Sequence, residues 1–188
     1  MSIHHAILEA AMQGYLWIPK ISTSSNYKNW ISIKDPRRCV DCKNLHGKIW
    51  HIHETPEPEP PLHENGRCEI EPMKTVQAGT ATMFGQAGAD WKLKQTGELP
   101  EYYVSMEEAE NVGWASGKWP SNFIPGKMIG GNVYRNKDGH LPDAPGRVWY
   151  EADINYETGK RNGYRIVYSN DGLMFATYDH YKTFYEVV

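Results

Sequence analysis

The sequence predicts an α+β fold in which helices precede and cover a twisted antiparallel sheet. Residues 4–16 carry apolar side chains at helical spacing. Ser105 precedes Glu108 by three residues, as in a capping box that opens a helix. Four β-like runs then follow, separated by short turn signals rich in Asn, Asp and Gly. Consecutive strands joined by tight turns indicate an antiparallel meander with the helices gathered on one side.

Each predicted element has a local reason. The first helix ends near Pro19, because proline lacks the amide that a helix interior needs. The second opens after Ser105, runs to about Val112 and is ended by Gly113. The strand-like runs are expected over residues 128–134, 148–155, 164–168 and 173–177, with a last run, 184–187, at the edge of the sheet.

The length of 188 residues suits one medium domain or two small ones. We predict an N-terminal module over residues 1–75, a linker rich in Ala and Gly over 76–90, and a second domain over 91–188. Within the module, residues 55–61 alternate Pro and Glu, which is typical of an extended loop.

The charge balance argues against a protein that holds nucleic acid by bulk electrostatics. The net charge is -3, and residues 91–188 carry 11 Lys and Arg against 13 Asp and Glu. Any RNA contact must therefore come from a local basic site, which favours an enzyme over a binding module. No apolar run approaches the length of a membrane span. No segment has the order of a signal peptide, so we expect any export to use another route or a larger parent chain.

Three cysteines, Cys39, Cys42 and Cys68, are too few for a disulfide framework and are typical of a metal site in a reducing compartment. With His63 they supply four zinc ligands in a zinc-ribbon-like order. The fourth ligand stays open because three further histidines lie in the same region, namely His46, His51 and His53. The alternative is that the thiols bind no metal.

The second domain also carries the residue types that cleave RNA without a metal. Such cleavage needs a base for the 2′-hydroxyl, an acid for the leaving oxygen and cations for the phosphate. Glu151 lies in a predicted strand, Arg161 and Arg165 flank the next turn, and His180 follows the fourth strand. Taken singly, each is more typical of a solvent-facing or ion-paired side chain than of a catalyst.

The order and spacing of several segments resemble the barnase-like microbial ribonucleases over about ninety residues. These segments are residues 99–103, 113–114, 125–131, 146–149, 151–156 and 179–184. The resemblance implies the microbial ribonuclease fold, with N-terminal helices packed on a twisted antiparallel sheet. Here a small zinc-ribbon-like Cys/His module precedes it.

The resemblance also implies catalytic roles. Glu151 matches the general base and His180 the general acid, while Arg161 and Arg165 match the arginines that bind the scissile phosphate. The implied activity is an endoribonuclease on single-stranded RNA that forms a 2′,3′-cyclic phosphate. Catalysis would need no cofactor.

A base-recognition loop is implied at Arg135, Asn136, Lys137 and Asp138, with Tyr181 lining the base pocket. Backbone amides and the Asp138 carboxylate would hold guanine, which predicts cleavage 3′ of that base. Asp138 is one methylene shorter than the glutamate expected there, which weakens the expected preference for guanine. A hairpin turn with solvated charges is the alternative interpretation of this loop.

One departure concerns the lysine that the family places on its second helix, because Met106 stands there. Methionine cannot neutralise a phosphate. Losing one such preorganised group costs about 3 to 4 kcal/mol of transition-state stabilisation in comparable sites. Either a cation such as Lys118 or Lys160 substitutes, or the enzyme is slower.

Part of the N-terminal module resembles the C-terminal end of phage Mu-type head morphogenesis (minor head) proteins, over about 35 residues. The matching positions are 39–48, Pro61, His63 and Arg67–Cys68, and Gly66 replaces a cysteine usual in that family. A head-protein tail fused to a nuclease resembles a polymorphic toxin. That architecture implies action in the bacterial cytoplasm, delivery without a classical signal peptide, and a small acidic immunity protein of the barstar type.

Three hypotheses therefore stand. The first is a guanine-preferring ribonuclease that acts as a toxin. The second is a binding module for RNA or protein, weakened catalytically by Met106. The third is a phage-head or delivery adaptor whose function lies in the Cys/His module. Retention of Glu151 and His180 favours the first over the second, and the complete ribonuclease half argues against the third as the whole function.

Overall fold

In the C-terminal half, consecutive strands pair as hairpins of one large sheet, joined at the predicted turns. The computed structural model describes residues 17–188; the helix predicted over 4–16 lies outside the described residues. The strands are β1 (Ile21–Ser22), β2 (Tyr27–Ser32), β3 (Ile49–His51), β4 (Cys68–Pro72), β5 (Thr75–Val76), β6 (Tyr103–Val104), β7 (Met128–Tyr134), β8 (Trp149–Asp153), β9 (Arg165–Ser169), β10 (Met174–Thr177) and β11 (Tyr185–Val187).

Eight of these strands form the large sheet in the order β1-β5-β11-β10-β9-β8-β7-β6, and the other three form a small sheet in the order β3-β2-β4. The pairs β5·β11 and β6·β7 are parallel, and the remaining pairs are antiparallel. The predicted α+β class is confirmed, and the architecture is consistent with the microbial ribonuclease fold. The predicted meander is confirmed as strands β7 to β10.

Short helices flank the strands: α1 (Val40–Leu45), α2 (Ala89–Thr96) and α3 (Met106–Asn111), with 3-10 turns at Gly85–Ala87 and Pro120–Asn122. The predicted capping box at α3 is confirmed. The Ser105 hydroxyl accepts the Glu108 amide at 3.1 Å, and Glu108 accepts the Ser105 amide at 2.7 Å. These two bonds satisfy amides that a helix start otherwise leaves unpaired, so they determine where α3 begins.

Two hydrophobic cores lie on opposite faces of the large sheet, because alternate residues of a strand point to opposite sides. Ala152 and Ile154 pack with Leu93 of α2 in the first core. Trp149 packs in the second core, where the small-sheet residue Tyr27 also lies. The N-terminal module is therefore packed directly on the second face of the large sheet.

Strand β11 differs from the expectation that its segment forms a sheet edge. On one side it pairs with β10, and on the other with β5, where Glu186 stands opposite Thr75 and Val187 opposite Val76. The prediction was wrong because the covering strand comes from about 110 residues earlier in the chain. A local pattern holds no information about such a partner.

The segment 76–90, expected as a linker, packs closely on the first core. Val76, Ala81 and Ala89 are fully buried there. The buried Asp90 carboxylate accepts the amides of Gly79 at 2.6 Å and Ala81 at 2.9 Å. Small residues, which suggested flexibility by composition, here let the backbone approach the sheet. The domain boundaries themselves stay a prediction.

The small sheet is attached to the C-terminal half by a backbone hydrogen bond as well as by packing. The Ile49 amide donates to the His140 carbonyl at 2.8 Å, and both Ile49 and Leu141 are buried in the second core. This contact places the N-terminal module beside the loop that follows β7. Within residues 17–188, no helix combines the length and apolarity required to cross a lipid bilayer.

Candidate active site

Glu151 lies in the middle of β8, between Asn132 of β7 and Val167 of β9. Because side chains alternate along a strand, Glu151 shares its face with Asp153. The carboxylate is half-buried and accepts a hydrogen bond from the Tyr181 hydroxyl. Burial and the neighbouring Glu151 carboxylate raise the pKa of Tyr181. The phenol therefore remains protonated and acts as a donor to Glu151.

Asp153 holds both predicted phosphate-binding arginines. Arg161 donates to its two carboxylate oxygens at 2.8 and 2.7 Å, and Arg165 Nε lies 3.0 Å from Asp153 Oδ1. Arg165 is buried, and its Nη1 also donates to the Asn162 carbonyl at 2.8 Å. Burial lowers the pKa of Arg161, but Asp153 and the nearby charge of Glu151 outweigh it and raise the pKa overall. The Arg161 guanidinium therefore stays charged beside Glu151.

His180 lies in a turn with unusual backbone geometry. His180 and Tyr181 have φ angles of 59° and 66°, in the left-handed region that non-glycine residues rarely adopt. The turn is held by the His180 amide, which donates to the Gly163 carbonyl at 3.0 Å, and by the Tyr181 amide, which donates to Thr177 Oγ1 at 3.0 Å. These bonds leave the imidazole exposed while Tyr181 points to Glu151.

The predicted base-recognition loop is closed by the side chain of Asn136. Its amide nitrogen donates to the Leu141 carbonyl at 2.9 Å, and its oxygen accepts the Leu141 amide at 3.1 Å. Asn136 has a φ angle of 44°, and the Gly139 amide donates to its carbonyl at 2.9 Å. Asp138, at the tip of the loop, is exposed. The loop therefore has a defined shape and a free carboxylate.

One cleft of about 920 Å³ brings most of the predicted site together. Its lining includes the predicted base, the predicted acid and the whole recognition loop, namely Glu151, His180, Tyr181, Arg135, Asn136, Lys137 and Asp138. Tyr134 lines it too, and its ring stacks on that of Tyr181 with centroids 5.1 Å apart. The stacked pair forms an aromatic surface beside Glu151, of the kind on which nucleobases stack.

The predicted arginines and the expected substitute cations lie outside the lining of this cleft. Arg161 lines a separate hollow with Lys118 and Lys160, while Arg165 lies beneath the surface. Met106 packs half-buried against the core around Trp114, and its side chain does not enter the cleft. Lys118 and Lys160 line that separate hollow and not the cleft of Glu151 and His180.

Another wall of the cleft consists of residues that the sequence patterns did not indicate. It is lined by Lys34, Arg38, Lys43 and His46 of the N-terminal module, and by Lys182 beside the turn that carries His180. A signal existed, since residues 34–48 contain five Lys and Arg. Their relation to Glu151 was not visible, however, because it depends on how the module packs against the sheet.

Three of the four predicted metal ligands come together at the start of α1, and the fourth, Cys68, lies beside Cys42 but outside the group of three. The ligand atoms of Cys39, Cys42 and His63 lie within 4.8 Å of one another, and Cys68 Sγ lies 3.4 Å from Cys42 Sγ. The Cys42 amide donates to Cys39 Sγ and is the main cause that lowers the pKa of Cys39 to about 7. Among the described residues, His46 instead accepts the Ser32 amide at 3.0 Å and lies outside this cluster.

Comparisons with known proteins identify the half of the chain that holds the candidate catalytic residues. A family model described as ribonuclease matches residues 86–188. A ribonuclease of Bacillus intermedius is 48% identical over 132 residues, 70% of this chain and 80% of the relative. A ribonuclease of Heyndrickxia coagulans is 48% identical over 97 residues, 51% of this chain and 88% of the relative. The chain therefore belongs to the ribonuclease family.

Proposed function

We propose that this protein is an endoribonuclease that cleaves single-stranded RNA 3′ of guanine. The observation that supports it most is one cleft lined by a carboxylate, an imidazole and the recognition loop: Glu151, His180 and residues 135–138. The family membership and the names of the relatives support the reaction class.

The reaction proceeds by acid-base transesterification. Glu151 takes the proton of the 2′-hydroxyl, and the 2′-oxygen attacks the adjacent phosphorus. The bond to the 5′-oxygen breaks, and His180 gives its proton to that leaving oxygen. The product carries a 2′,3′-cyclic phosphate, which water opens in a second step with the two roles exchanged. The Tyr181 hydroxyl donates a hydrogen bond that holds the Glu151 carboxylate in the cleft.

Arg161 and Arg165 stabilise the phosphate charge from beside the cleft. Asp153 fixes both guanidinium groups, so they act as preorganised cations. Met106 contributes no charge at the position where the family has lysine, and we infer a slower enzyme in consequence.

Guanine is selected by the loop after β7. Asn136 closes the loop on Leu141. The backbone amides of residues 136–138 would donate to the guanine O6 edge. The exposed Asp138 carboxylate accepts the guanine N1 and N2 protons. Tyr181 forms one side of the base pocket.

A structural zinc ion bound at the start of α1 is a further part of the proposal. Zn–S and Zn–N bonds of about 2.3 and 2.0 Å set tetrahedral ligands about 3.5 Å apart, compatible with the cluster. Cys39, Cys42 and His63 are held within 4.8 Å, and Cys68 supplies the fourth ligand beside Cys42. The ion would hold α1 to the small sheet and have no part in the acid-base step.

The biological role we propose is that of a toxin acting in the bacterial cytoplasm. The resemblance of the N-terminal module to phage head proteins supports delivery by phage-derived or contact-dependent machinery. A small acidic immunity protein of the barstar type would cover the cleft that Glu151 and His180 line. A weakened binding module and a delivery adaptor remain the alternatives that the following experiment addresses.

The test is cleavage of a short RNA with one internal guanine, in EDTA, by the native protein and by Glu151→Ala and His180→Ala. We expect cleavage 3′ of the guanine with a cyclic-phosphate end, lost in both variants. Asp138→Ala should retain cleavage but weaken the preference for guanine over the other bases. If folded native protein at high concentration leaves the RNA intact, the enzyme proposal fails and a binding or adaptor function takes its place.

A further inference from the structure

The N-terminal module forms a wall of the catalytic cleft, although it lies outside residues 86–188, which the family model matches. Lys34 and Lys43 are exposed and Arg38 is half-buried, and all three line the cleft that Glu151 and His180 also line. The wall and the catalytic residues therefore face the same space.

The wall is held in place by a chain of hydrogen bonds. Arg38 Nη1 donates to Ser32 Oγ at 3.3 Å, and Ser32 Oγ donates to the Cys42 carbonyl at 2.9 Å. The Ser32 amide donates to His46 Nδ1 at 3.0 Å. Three residues after His46, the Ile49 amide donates to the carbonyl of His140, which lines the cleft, at 2.8 Å. The basic residues thus have a defined position relative to the recognition loop.

The cations of the wall are not neutralised by the protein. Within residues 17–188, Lys34, Arg38 and Lys43 form no ion pair, whereas the nearby Arg37 and Arg67 both pair with Asp35. Their separation from acidic partners leaves these three charges available to a ligand.

The cleft as a whole concentrates positive charge in an acidic chain. The cleft is lined by six Lys and Arg side chains and by only two carboxylates, whereas the whole protein has a net charge of -3. Lys34 and Arg38 add to burial in lowering the pKa of His46 to about 4, which agrees with a positive field at the wall. A cleft lined by one sign of charge attracts a ligand of the other sign.

We propose that Lys34, Arg38 and Lys43 bind backbone phosphates of the RNA strand on either side of the cleaved bond. This proposal rests on the proposed ribonuclease function. RNA is favoured over an acidic protein because the cations share one continuous cleft with the recognition loop and the acid-base pair, through which a bound strand must pass. At about 920 Å³ the cleft lies near the upper end of the roughly 300–1,000 Å³ typical of small-ligand sites, which leaves room for flanking nucleotides.

The wall distinguishes long substrates from short ones. Guanylyl-(3′→5′)-adenosine has only the scissile phosphate, whereas a ten-nucleotide RNA with one internal guanine has flanking phosphates on both sides. The triple variant carries Lys34→Gln, Arg38→Gln and Lys43→Gln together. We expect its ratio of kcat/KM for the long RNA to kcat/KM for the dinucleotide to be roughly tenfold lower than that of the native protein, because each exposed ionic contact contributes modestly and three are lost.

The matched control removes three exposed lysines outside the cleft, with the substitutions Lys74→Gln, Lys92→Gln and Lys94→Gln. It changes the net charge equally, so a long-range effect of charge would appear in both variants. Thermal unfolding compares the folded state of each. If the Arg38 substitution unfolds the chain, the double variant with Lys34→Gln and Lys43→Gln makes the same test, because both of these side chains are exposed.

Measuring the binding of an RNA that cannot be cleaved tests the role of the wall independently of the proposed ribonuclease activity. The same ten-nucleotide RNA with 2′-deoxyguanosine at its cleavage site cannot react, and fluorescence anisotropy gives its affinity at several salt concentrations. Each phosphate contact on a single strand contributes about 0.7 to the slope of log K against log salt concentration. The triple variant loses three contacts, so we expect the magnitude of its slope to be smaller by about 2.

The outcomes are distinct. If the native protein cleaves neither substrate, the proposed ribonuclease function is overturned. The binding experiment still decides whether the wall residues bind RNA phosphates. Native cleavage with an unchanged ratio and an unchanged salt slope in the triple variant overturns the wall alone, and would fit cations that serve a protein partner. A ratio that falls as much in the control also overturns it.

Discussion

The Tyr181 phenol donates a hydrogen bond to the Glu151 carboxylate across 30 residues of sequence. Glu151 belongs to a sheet strand, whereas Tyr181 belongs to the turn that presents His180. The bond therefore joins the candidate base to the segment that carries the candidate acid. The same tyrosine stacks on Tyr134, so it also joins the acid-base pair to the aromatic side of the base pocket.

Tyr181→Phe should lower kcat/KM about 10- to 100-fold. It removes one hydrogen bond to a charged group, which contributes about 1.5 to 3 kcal/mol. The measurement is cleavage of a single-guanine RNA at several pH values. Tyr150→Phe is the control, since Tyr150 stacks on Tyr168 away from the cleft. Equal activity of the two variants would show that the bond to Glu151 is dispensable.

Asp153→Asn should destabilise the fold by about 3 to 5 kcal/mol, because two charged arginines lose their buried carboxylate. Asp153 is 1% exposed, and the side chain of Arg165 is 6% exposed. Urea unfolding measures the free energy. Asp171→Asn is the matched control: its pair with Arg147 spans 2.7 Å but Asp171 is 44% exposed, so we expect a loss of about 1 kcal/mol or less. Equal losses would contradict a buried network around Asp153.

Met106→Lys should raise kcat about tenfold or more by restoring a cation near the scissile phosphate, as the effect of single preorganised groups indicates. The long side chain can leave the apolar cluster and place its charge in solvent. A positive charge in the first turn of α3 should cost about 0.3 to 1 kcal/mol of stability. Met106→Gln adds polarity without charge and should not raise kcat. A Lys variant no faster than the Gln variant would argue that this position does not affect the phosphate.

His46 should make stability depend on pH. Burial first, and then Lys34 and Arg38, lower the pKa of His46 from 6.5 to about 4. Between these values the unfolded chain binds the proton and the folded chain does not, so the free energy of unfolding rises with pH across this window. This contribution is complete above about pH 6.5 and is lost as pH falls through about 4.

The measurement is urea unfolding at pH 7.5 and 4.5. The difference in free energy between the two pH values should be smaller in His46→Gln than in the native protein. His53→Gln replaces an exposed histidine and serves as the control. A His46 variant with the same pH difference as the native protein would show that the imidazole is protonated in the folded state at pH 4.5.

The protein should bind one zinc ion per chain, and Cys42→Ser should abolish it. Zinc is counted by metal analysis after dialysis, with Thr96→Ser as a control substitution at an exposed polar site. Removing zinc should lower the thermal midpoint of unfolding while cleavage by the protein that stays folded continues, because the acid-base pair lies apart from the cluster. If the native protein retains no zinc after exposure to saturating metal, the zinc proposal is contradicted, and the cysteines are three free thiols.

Several features were predictable because they depend on neighbouring residues. Strand β7 has the predicted bounds, since alternating side chains and the turn after Tyr134 delimit it. The capping box at Ser105 opens α3 where the sequence indicates. The candidate base and acid were named through the order of whole segments, because spacing alone did not separate Glu151 from an ordinary strand residue.

Other features depended on contacts between distant parts of the chain. The sequence by itself determined the meander, the start of α3 and the residue types of an acid-base site, because periodicity, capping and turn chemistry act over a few residues. Only the tertiary structure placed β5 beside β11 and Lys34, Arg38 and Lys43 in the cleft of Glu151. Those placements follow from burying apolar faces against each other, and a residue's own neighbours do not encode which distant face it will meet.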